Sequence, residues 1–299
     1  MTTSDRLFLL NIGQPSRLVS IAPDGGNLVV IDPDLGVAPD GIALDPIHRR
    51  LFWTYMGTAH AAEDFWETDG ALHSIDLDGG NRRVVVPTGA TVTPKQLQCD
   101  AERGFLYWCD REGMRVMRAR LDGSEITTLV QTGSGAEQAW DRTRHCVGVA
   151  IDPVGGHLYW SQKGPPNGGE GRILRAPLDL PAGMDPADRS DIELLLDRLP
   201  EPIDLEWDDG MLYWTDRGDP PEGNTLNRAR IATGAPLTRE ILTTGLNEAI
   251  GLALDRRNRR AFVGDLGGTV RMIPLDRPGA VETVFEGHGP ITGIAYLEG

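Results

Sequence analysis

A five-residue pattern returns at near-constant intervals along the chain, and this periodicity restricts the fold more than any other feature. LFWTY at 51–55, LYWCD at 106–110, LYWSQ at 158–162, LYWTD at 212–216 and AFVGD at 261–265 begin 55, 52, 54 and 49 residues apart. A weaker copy, LFLLN, starts at Leu7. Self-similarity at a period of about 20 to 50 residues is the mark of solenoids and propellers. The neighbours of each copy decide between them. Before it lies an apolar stretch ending in Asp: GIALD at 41–45, VAID at 149–152 and GLALD at 251–255. After it comes a third stretch: ALHSIDLDG from Ala71, RVMRARLDG from Arg115, ILRAPLD from Ile173, LNRARI from Leu226 and VRMIPLD from Val270. A shorter fourth follows, such as VVV from Val84, ELLL from Glu193 or TVF from Thr283. Alternating apolar and polar positions, β-branched and aromatic residues, and Asp-Gly or Gly-Gly turns make each unit a four-stranded antiparallel meander. Roughly 50 residues per meander is the spacing of a propeller blade.

The ends of the chain complete the count. TGIAYL at 292–297 reads as a first strand with no second strand after it, and the N-terminus opens on that second strand. LFLLN, then RLVSIAP from Arg17 and NLVVI from Asn27, supply the rest of a sixth blade. The expected fold is all-β: a six-bladed β-propeller of four-stranded antiparallel blades. It is closed by a C-terminal inner strand with N-terminal outer strands, as one domain over 1–299. Closure removes the exposed sheet edges that open sheets must protect.

These repeats resemble the YWTD, or class B, repeats of low-density lipoprotein receptor propellers, over the whole chain, and LYWTD at 212–216 is the cleanest copy. Tyr55 and Gln162 replace the motif's Asp, and Val263 and Gly264 replace its Trp and Thr. No EGF-like cysteine module flanks the repeats, so the resemblance does not imply receptor-type ligand docking; stand-alone cytosolic propellers resemble small-molecule enzymes and binding proteins instead. Fold does not fix function.

Composition narrows the function classes. A formal charge of -15 and a pI near 4.8 oppose binding to nucleic acid or an anionic membrane, which needs clustered Lys and Arg. The apolar run Leu7 to Leu10 is too short, and lacks the basic flank, for a signal peptide or anchor. Cys99, Cys109 and Cys146 form no CxxC pair, and the odd count fits small buried residues of a reducing compartment. The expected location is the cytoplasm. Oligomeric state is left open.

The motif residues themselves read as scaffold. An aromatic pair repeated in successive blades buries large apolar area between neighbouring sheets. Asp45, Asp100, Asp152, Asp208 and Asp255 stand where a strand meets a turn, where a carboxylate accepts backbone N–H groups. Asp110, Asp216 and Asp265 are expected to tie adjacent blades together.

Function is therefore sought where the period breaks. In a meander, the loop from second to third strand lies on the same face as the connection entering the next blade. The long segments 56–70 and 132–145 and the Pro/Gly-rich loops at 162–171 and 217–223 share that face and suggest the walls and lid of a pocket. Residues just before each inner strand line the channel mouth there: Asp40, Lys95, Gln96, Glu201, Ile203, Asp204, Glu248 and His288. Ionisable groups in such a place are costly unless paired, which points to a site; a solvated funnel is the plain alternative. His145 or His60 with Glu63, Asp64, Glu201 or Glu248 would form an acid/base pair, since imidazole titrates near neutrality and a carboxylate orients it. The candidate catalytic residues are His145, Glu201, Glu248 and His60. Candidate ligand contacts are Asp40, Lys95, Gln96, His288, Trp66 and Trp140, the two tryptophans either stacking on a ligand or stapling their own loops.

No GxSxG elbow, HExxH, GxxxxGK[ST] or strand-borne GxGxxG occurs, which disfavours serine hydrolase, zincin, nucleotide and nicotinamide chemistry. Similarity to gluconolactonase-like six-bladed propellers implies a further option. There Asp40, Glu201, Asp204 and Glu248, with Asn247 adjacent, would hold Ca²⁺ or Mg²⁺. Otherwise no cofactor is expected. The expected function is a propeller that binds a small metabolite and uses acid/base residues at the channel mouth for cyclisation, isomerisation, elimination or hydrolysis. The alternatives are a metal-dependent lactonase or esterase, or a non-catalytic protein-interaction propeller.

Overall fold

In the computed structural model, residues 4–60, 64–232 and 237–299 are described; Glu63 lies outside them. Six four-stranded antiparallel sheets follow one another around an axis. Their inner strands are Pro39–Asp45, Pro94–Asp100, Cys146–Asp152, Pro202–Asp208, Ala249–Asp255 and Ile291–Leu297. Each packs on the next, and the last returns to the first, so the ring is closed. The sixth blade is composite, as expected: Ile291–Leu297 pairs with Arg6–Asn11, with Phe8 opposite Ala295. The blades are numbered here from the one that begins at Pro39.

Burial follows the repeat. Trp53, Trp108, Trp160 and Trp214 are fully buried. They stand opposite Ile42, Leu97, Val149 and Leu205 of the inner strands, and Val263 stands likewise opposite Leu252. Each second strand thereby packs into the space between blades: Trp160 shares a cluster with Tyr107, Val116 and Val130 of the preceding blade. Aromatic residues of this size bury about 150–250 Å² each, so these interfaces carry most of the apolar stabilisation.

The fourth motif position has a separate duty. In blades 1 to 5 the pairing of inner with second strand shifts register near the start of the inner strand, for example between Pro39 and Ile42 or between Pro202 and Leu205. Such a bulge leaves a backbone N–H without its ladder partner. The motif hydroxyl takes its place: Thr54 accepts from the Gly41 N–H at 2.8 Å, Ser161 from Gly148 at 2.8 Å and Thr215 from Asp204 at 3.1 Å. Ser161 and Thr215 then donate to the carbonyls of Ile203 and Ile250, on the inner strand of the next blade, at 2.9 and 2.8 Å. The Cys109 thiol makes the same forward contact to Gly148 O at 3.2 Å. Gly264 has no side chain to make it, and a Cβ there would lie 2.6 Å from Ile291.

The motif aspartates tie the connection between blades. Asp110 accepts from the N–H groups of Val92 and Thr93, and Asp216 from those of Glu201 and Gly218. Asp265 holds Thr269 and Asn247. At the opposite face Asp45, Asp100, Asp152 and Asp255 cap the turns after the inner strands. Asp208 instead meets Arg256 and Arg259 of the next blade, each at 3.4 Å. No helix among the described residues is long and apolar enough to cross a membrane.

Thr215→Val keeps the shape of the side chain but strands two buried backbone groups in different blades. It is expected to lower unfolding free energy by about 2–4 kcal/mol in urea denaturation; a loss under about 0.5 kcal/mol would show that the hydroxyl stitch is dispensable.

Candidate functional site

The bulges turn the second residue of each inner strand toward the channel mouth. In blades 1 and 2 this residue is charged, Asp40 and Lys95. In blades 3 to 5 it is Val147, Ile203 and Ile250, which form a small buried cluster. One sector of the mouth is thus polar and another apolar.

The polar sector is densely paired. Lys95 bonds Asp40, with its Nζ also 3.3 Å from Met56 Sδ, and Gln96 donates to Asp40 Oδ2 at 3.3 Å. Glu201 Oε1 accepts from Lys163 Nζ and from Arg217 Nη2, both at 2.7 Å. Arg111 pairs with Glu112 at 2.7 Å. Asp40, Gln96, Glu201, Lys163, Arg111 and Glu112 are buried and Lys95 and Arg217 partly so, and removing one partner of a buried pair is far costlier than the pair is stabilising. Burial lowers the pKa of Lys95 and of Lys163; Asp40 and Glu201 respectively oppose the shift, and Arg111 and Arg217 reinforce it. Burial raises the pKa of Glu201, but Lys163 and Arg217 more than reverse this, so its carboxyl stays below the usual range.

His145 is buried beside this cluster. Its Nε2 lies 2.8 Å from the carbonyl of Ala139, the last residue of a short helix, Gly135–Ala139. A carbonyl only accepts, so Nε2 carries the proton and Nδ1 keeps its lone pair. Burial lowers the pKa of His145, with the Ala139 carbonyl opposing, and keeps the ring neutral. His145, Lys163, Glu112 and Arg111 line a void of only about 10 Å³ under Trp66 and Trp140. The two indoles come from the 56–70 and 132–145 segments and touch each other, ring centres 4.5 Å apart. Beyond them a cavity of about 530 Å³ opens between Trp66, Trp140, Met114, Gln131 and Ala136.

The structure thus brings together Asp40, Lys95, Gln96, Glu201 and His145, with Trp66 and Trp140 above. It does not bring in the other three. His60 is exposed and 3.3 Å from exposed Glu67. Glu248 is exposed, its backbone N–H bonded to Asn224 Oδ1. His288 is exposed on the rim. Asp204 faces the next inner strand, where its carboxylate accepts from the N–H groups of Leu205 and Leu252, both at 2.9 Å. The divalent-cation arrangement does not fit: Asp40, Glu201 and Asp204 each bond other groups, and Glu248 stands apart on the exposed rim. Among the described residues no three His, Cys, Asp or Glu side chains could hold a metal ion.

Sequence reading missed Arg111, Lys163 and Arg217. All three occupy one position of the repeat, directly after the motif, in three consecutive blades. Aligning that position across the copies would have revealed a cationic arc in an otherwise acidic chain.

No family model matches the chain. A Pyricularia oryzae protein named low-density lipoprotein receptor-related protein 1 is 40% identical, over 98% of both chains. The 3-hydroxyacyl-CoA dehydrogenase-like protein LAM1 of Cochliobolus heterostrophus is 35% identical over 99% of this chain, which spans 65% of that protein. Among solved structures, the nidogen/laminin complex aligns with a TM-score of 0.73 at 18% identity, covering 98% of both chains. A gluconolactonase from Xanthomonas campestris aligns at 0.64 and 16%, over 96% of this chain and 86% of its own.

Asp216, which holds the Glu201 backbone in place, has one carboxylate oxygen with no hydrogen-bond partner among the described residues, and burial pushes its pKa up to about 7 against the N–H bonds of Glu201 and Gly218. Between pH about 4 and about 7 the folded protein therefore holds a proton here that the unfolded chain has released, and this group's contribution to stability falls as pH rises. Asp216→Asn keeps an acceptor for both N–H groups and cannot ionise. It should gain on the parent with rising pH, by up to roughly 4 kcal/mol at pH 7.5, in denaturation curves taken across that range. A constant difference between the two proteins would overturn the assignment.

Proposed function

This chain belongs to the YWTD-type six-bladed β-propeller family, and we propose that it is an enzyme-like member that takes a small, partly apolar metabolite at the channel mouth beneath Trp66 and Trp140, which must part to admit it because the void below them is only about 10 Å³. The observation that carries this reading is the buried Lys163, Glu201 and His145 group at the foot of the lid. A lysine of lowered pKa against an ionised glutamate, beside a neutral imidazole with a free lone pair, is a proton donor and acceptor set. On this reading a two-sided ligand would set its polar part toward Lys95, Asp40 and Gln96 and its apolar part toward Val147, Ile203 and Ile250.

The roles follow from geometry. His145 Nδ1 accepts a proton from the ligand, Lys163 donates one, and Glu201 holds Lys163 in place with Arg217. That chemistry serves cyclisation, isomerisation, elimination or hydrolysis. A gluconolactonase among the structural neighbours and a dehydrogenase-like name among the relatives fit an enzyme-like propeller. The absence of a GxGxxG fingerprint argues against carrying over hydride transfer. Three free cysteines, all with thiols pushed up by burial, fit the cytoplasm as its location.

The test begins with native mass spectrometry of protein purified from its own host, to identify a retained small molecule. Turnover of that molecule is then followed in His145→Ala and Lys163→Met. Retention of the ligand with turnover reduced about 10²- to 10⁴-fold is expected; unchanged turnover in both variants removes the reading.

A further inference from the structure

The opposite end of the channel has its own construction, legible once the inner strands are aligned. Their third and fifth residues are Gly41 and Ala43, Gly148 and Ala150, Gly251 and Ala253, and Gly293 and Ala295 in four blades. Blades 2 and 4 break this pattern at both positions, with Gln96 and Gln98, and with Asp204 and Glu206. The glycines are needed because a Cβ would strike the adjacent inner strand: at Gly148 it would lie 1.9 Å from Ile203 O, at Gly41 2.6 Å from Lys95 O. The larger residues instead reach past a neighbour. Gln98 Nε2 spans the third blade's inner strand to meet Glu206 Oε1 at 3.3 Å and Leu205 O at 3.4 Å.

Gln98 and Glu206 line a cavity of about 530 Å³ that opens among the turns after the inner strands, on the face away from the tryptophan lid. Its walls include Leu44, Ile151, Leu254 and Ile294, with the rings of Trp207 and Tyr296. Its charged lining is acidic in balance: Asp100, Glu102, Glu206 and Glu298 against Arg256, with Arg103 and Arg257 beside the lining pairing with Asp100 at 3.9 Å and Glu298 at 3.4 Å. Arg256 reaches Glu206 Oε2 at 3.2 Å while remaining half exposed at the lip. The carboxylate of Asp204, two residues earlier on the same strand, has only backbone N–H partners among the described residues.

We propose that this far mouth is a second ligand site, for a small aliphatic ammonium whose charge pairs with Glu206 and whose chain fills the apolar walls. A cleft with an excess of one charge sign and low-dielectric walls concentrates ions of the other sign. An anionic ligand would face the lining carboxylates, whereas an ammonium joins the half-exposed Arg256 as a second cationic partner of Glu206. Burial holds the Glu206 carboxyl above its usual range, with Arg256 opposing. Burial and the Glu206 charge do the same for Asp204, against its N–H bonds. A bound cation relieves both. The site shares no residue with the lidded mouth, so it stands or falls independently of the function proposed there.

Titration calorimetry with n-hexylammonium, n-hexanol and hexanoate at low salt tests this. Hexylammonium is expected to bind saturably and at least tenfold tighter than the other two. Glu206→Gln should weaken it at least tenfold and leave hexanol nearly unchanged. Ile47→Arg places a cation at an exposed lining position, 51% accessible, where folding is not at stake, and should weaken hexylammonium likewise. His145→Ala, at the other mouth, should change nothing. Equal binding of hexanoate, absence of saturable hexylammonium binding, or binding indifferent to both Glu206→Gln and Ile47→Arg would overturn the proposal.

Discussion

In four of the six blades the inner strand approaches its neighbour so closely around the axis that a side chain has no room at the point of contact, and much of the architecture follows from this. Gly148, Gly251 and Gly293 supply that missing Cβ, since one built there would sit 1.9 to 3.0 Å from the next strand's backbone. The approach also costs ladder hydrogen bonds, because each inner strand bulges where it turns toward the mouth. Ser161 and Thr215 make good the loss with hydroxyls that accept from their own blade and donate to the next. A motif that reads as a packing signature is thus also the lock between blades. Val263 and Gly264 in blade 5 show its limit: there Ile291 of the closing strand takes the space.

The same bulges build the site. By re-aiming one residue per blade they bring Asp40 and Lys95 to the mouth opposite Val147, Ile203 and Ile250. The residue after the motif then adds Arg111, Lys163 and Arg217 from above. Glu201 is held by two of these cations, and its backbone by Asp216, so scaffold and candidate chemistry share atoms. The two ends of the axis differ in sign as well as shape. The lidded end gathers cations within an acidic chain, and the open end presents carboxylates over an apolar cavity.

Much of the fold was legible in the chain: blade number, strand order and the composite sixth blade all follow from where LYWTD and its variants recur and from TGIAYL lacking a successor. The site was legible in part. Lys95, Gln96, Asp40 and Glu201 were found because they precede inner strands, and His145 because its segment is exceptionally long. His60, Glu248 and His288 share those sequence positions yet lie apart on the exposed rim, since proximity to a strand end says nothing about which way a side chain turns. Asp204 was drawn into the metal reading by its charge, whereas it spends its oxygens on Leu205 and Leu252. Arg111, Lys163 and Arg217 were overlooked because each, taken singly, is an ordinary charged loop residue.

Sequence alone determined the closed six-bladed ring, because a repeat that pairs short strands in fourfold meanders has no other way to bury its tryptophans and its edges. Only the tertiary structure decided which charges meet. Pairing between Lys163 and Glu201, 38 residues apart, or between Gln98 and Glu206, 108 apart, depends on bulge geometry and on the spacing of inner strands across the axis. Those distances are set by the packing of whole blades, and no local pattern of residue types encodes them.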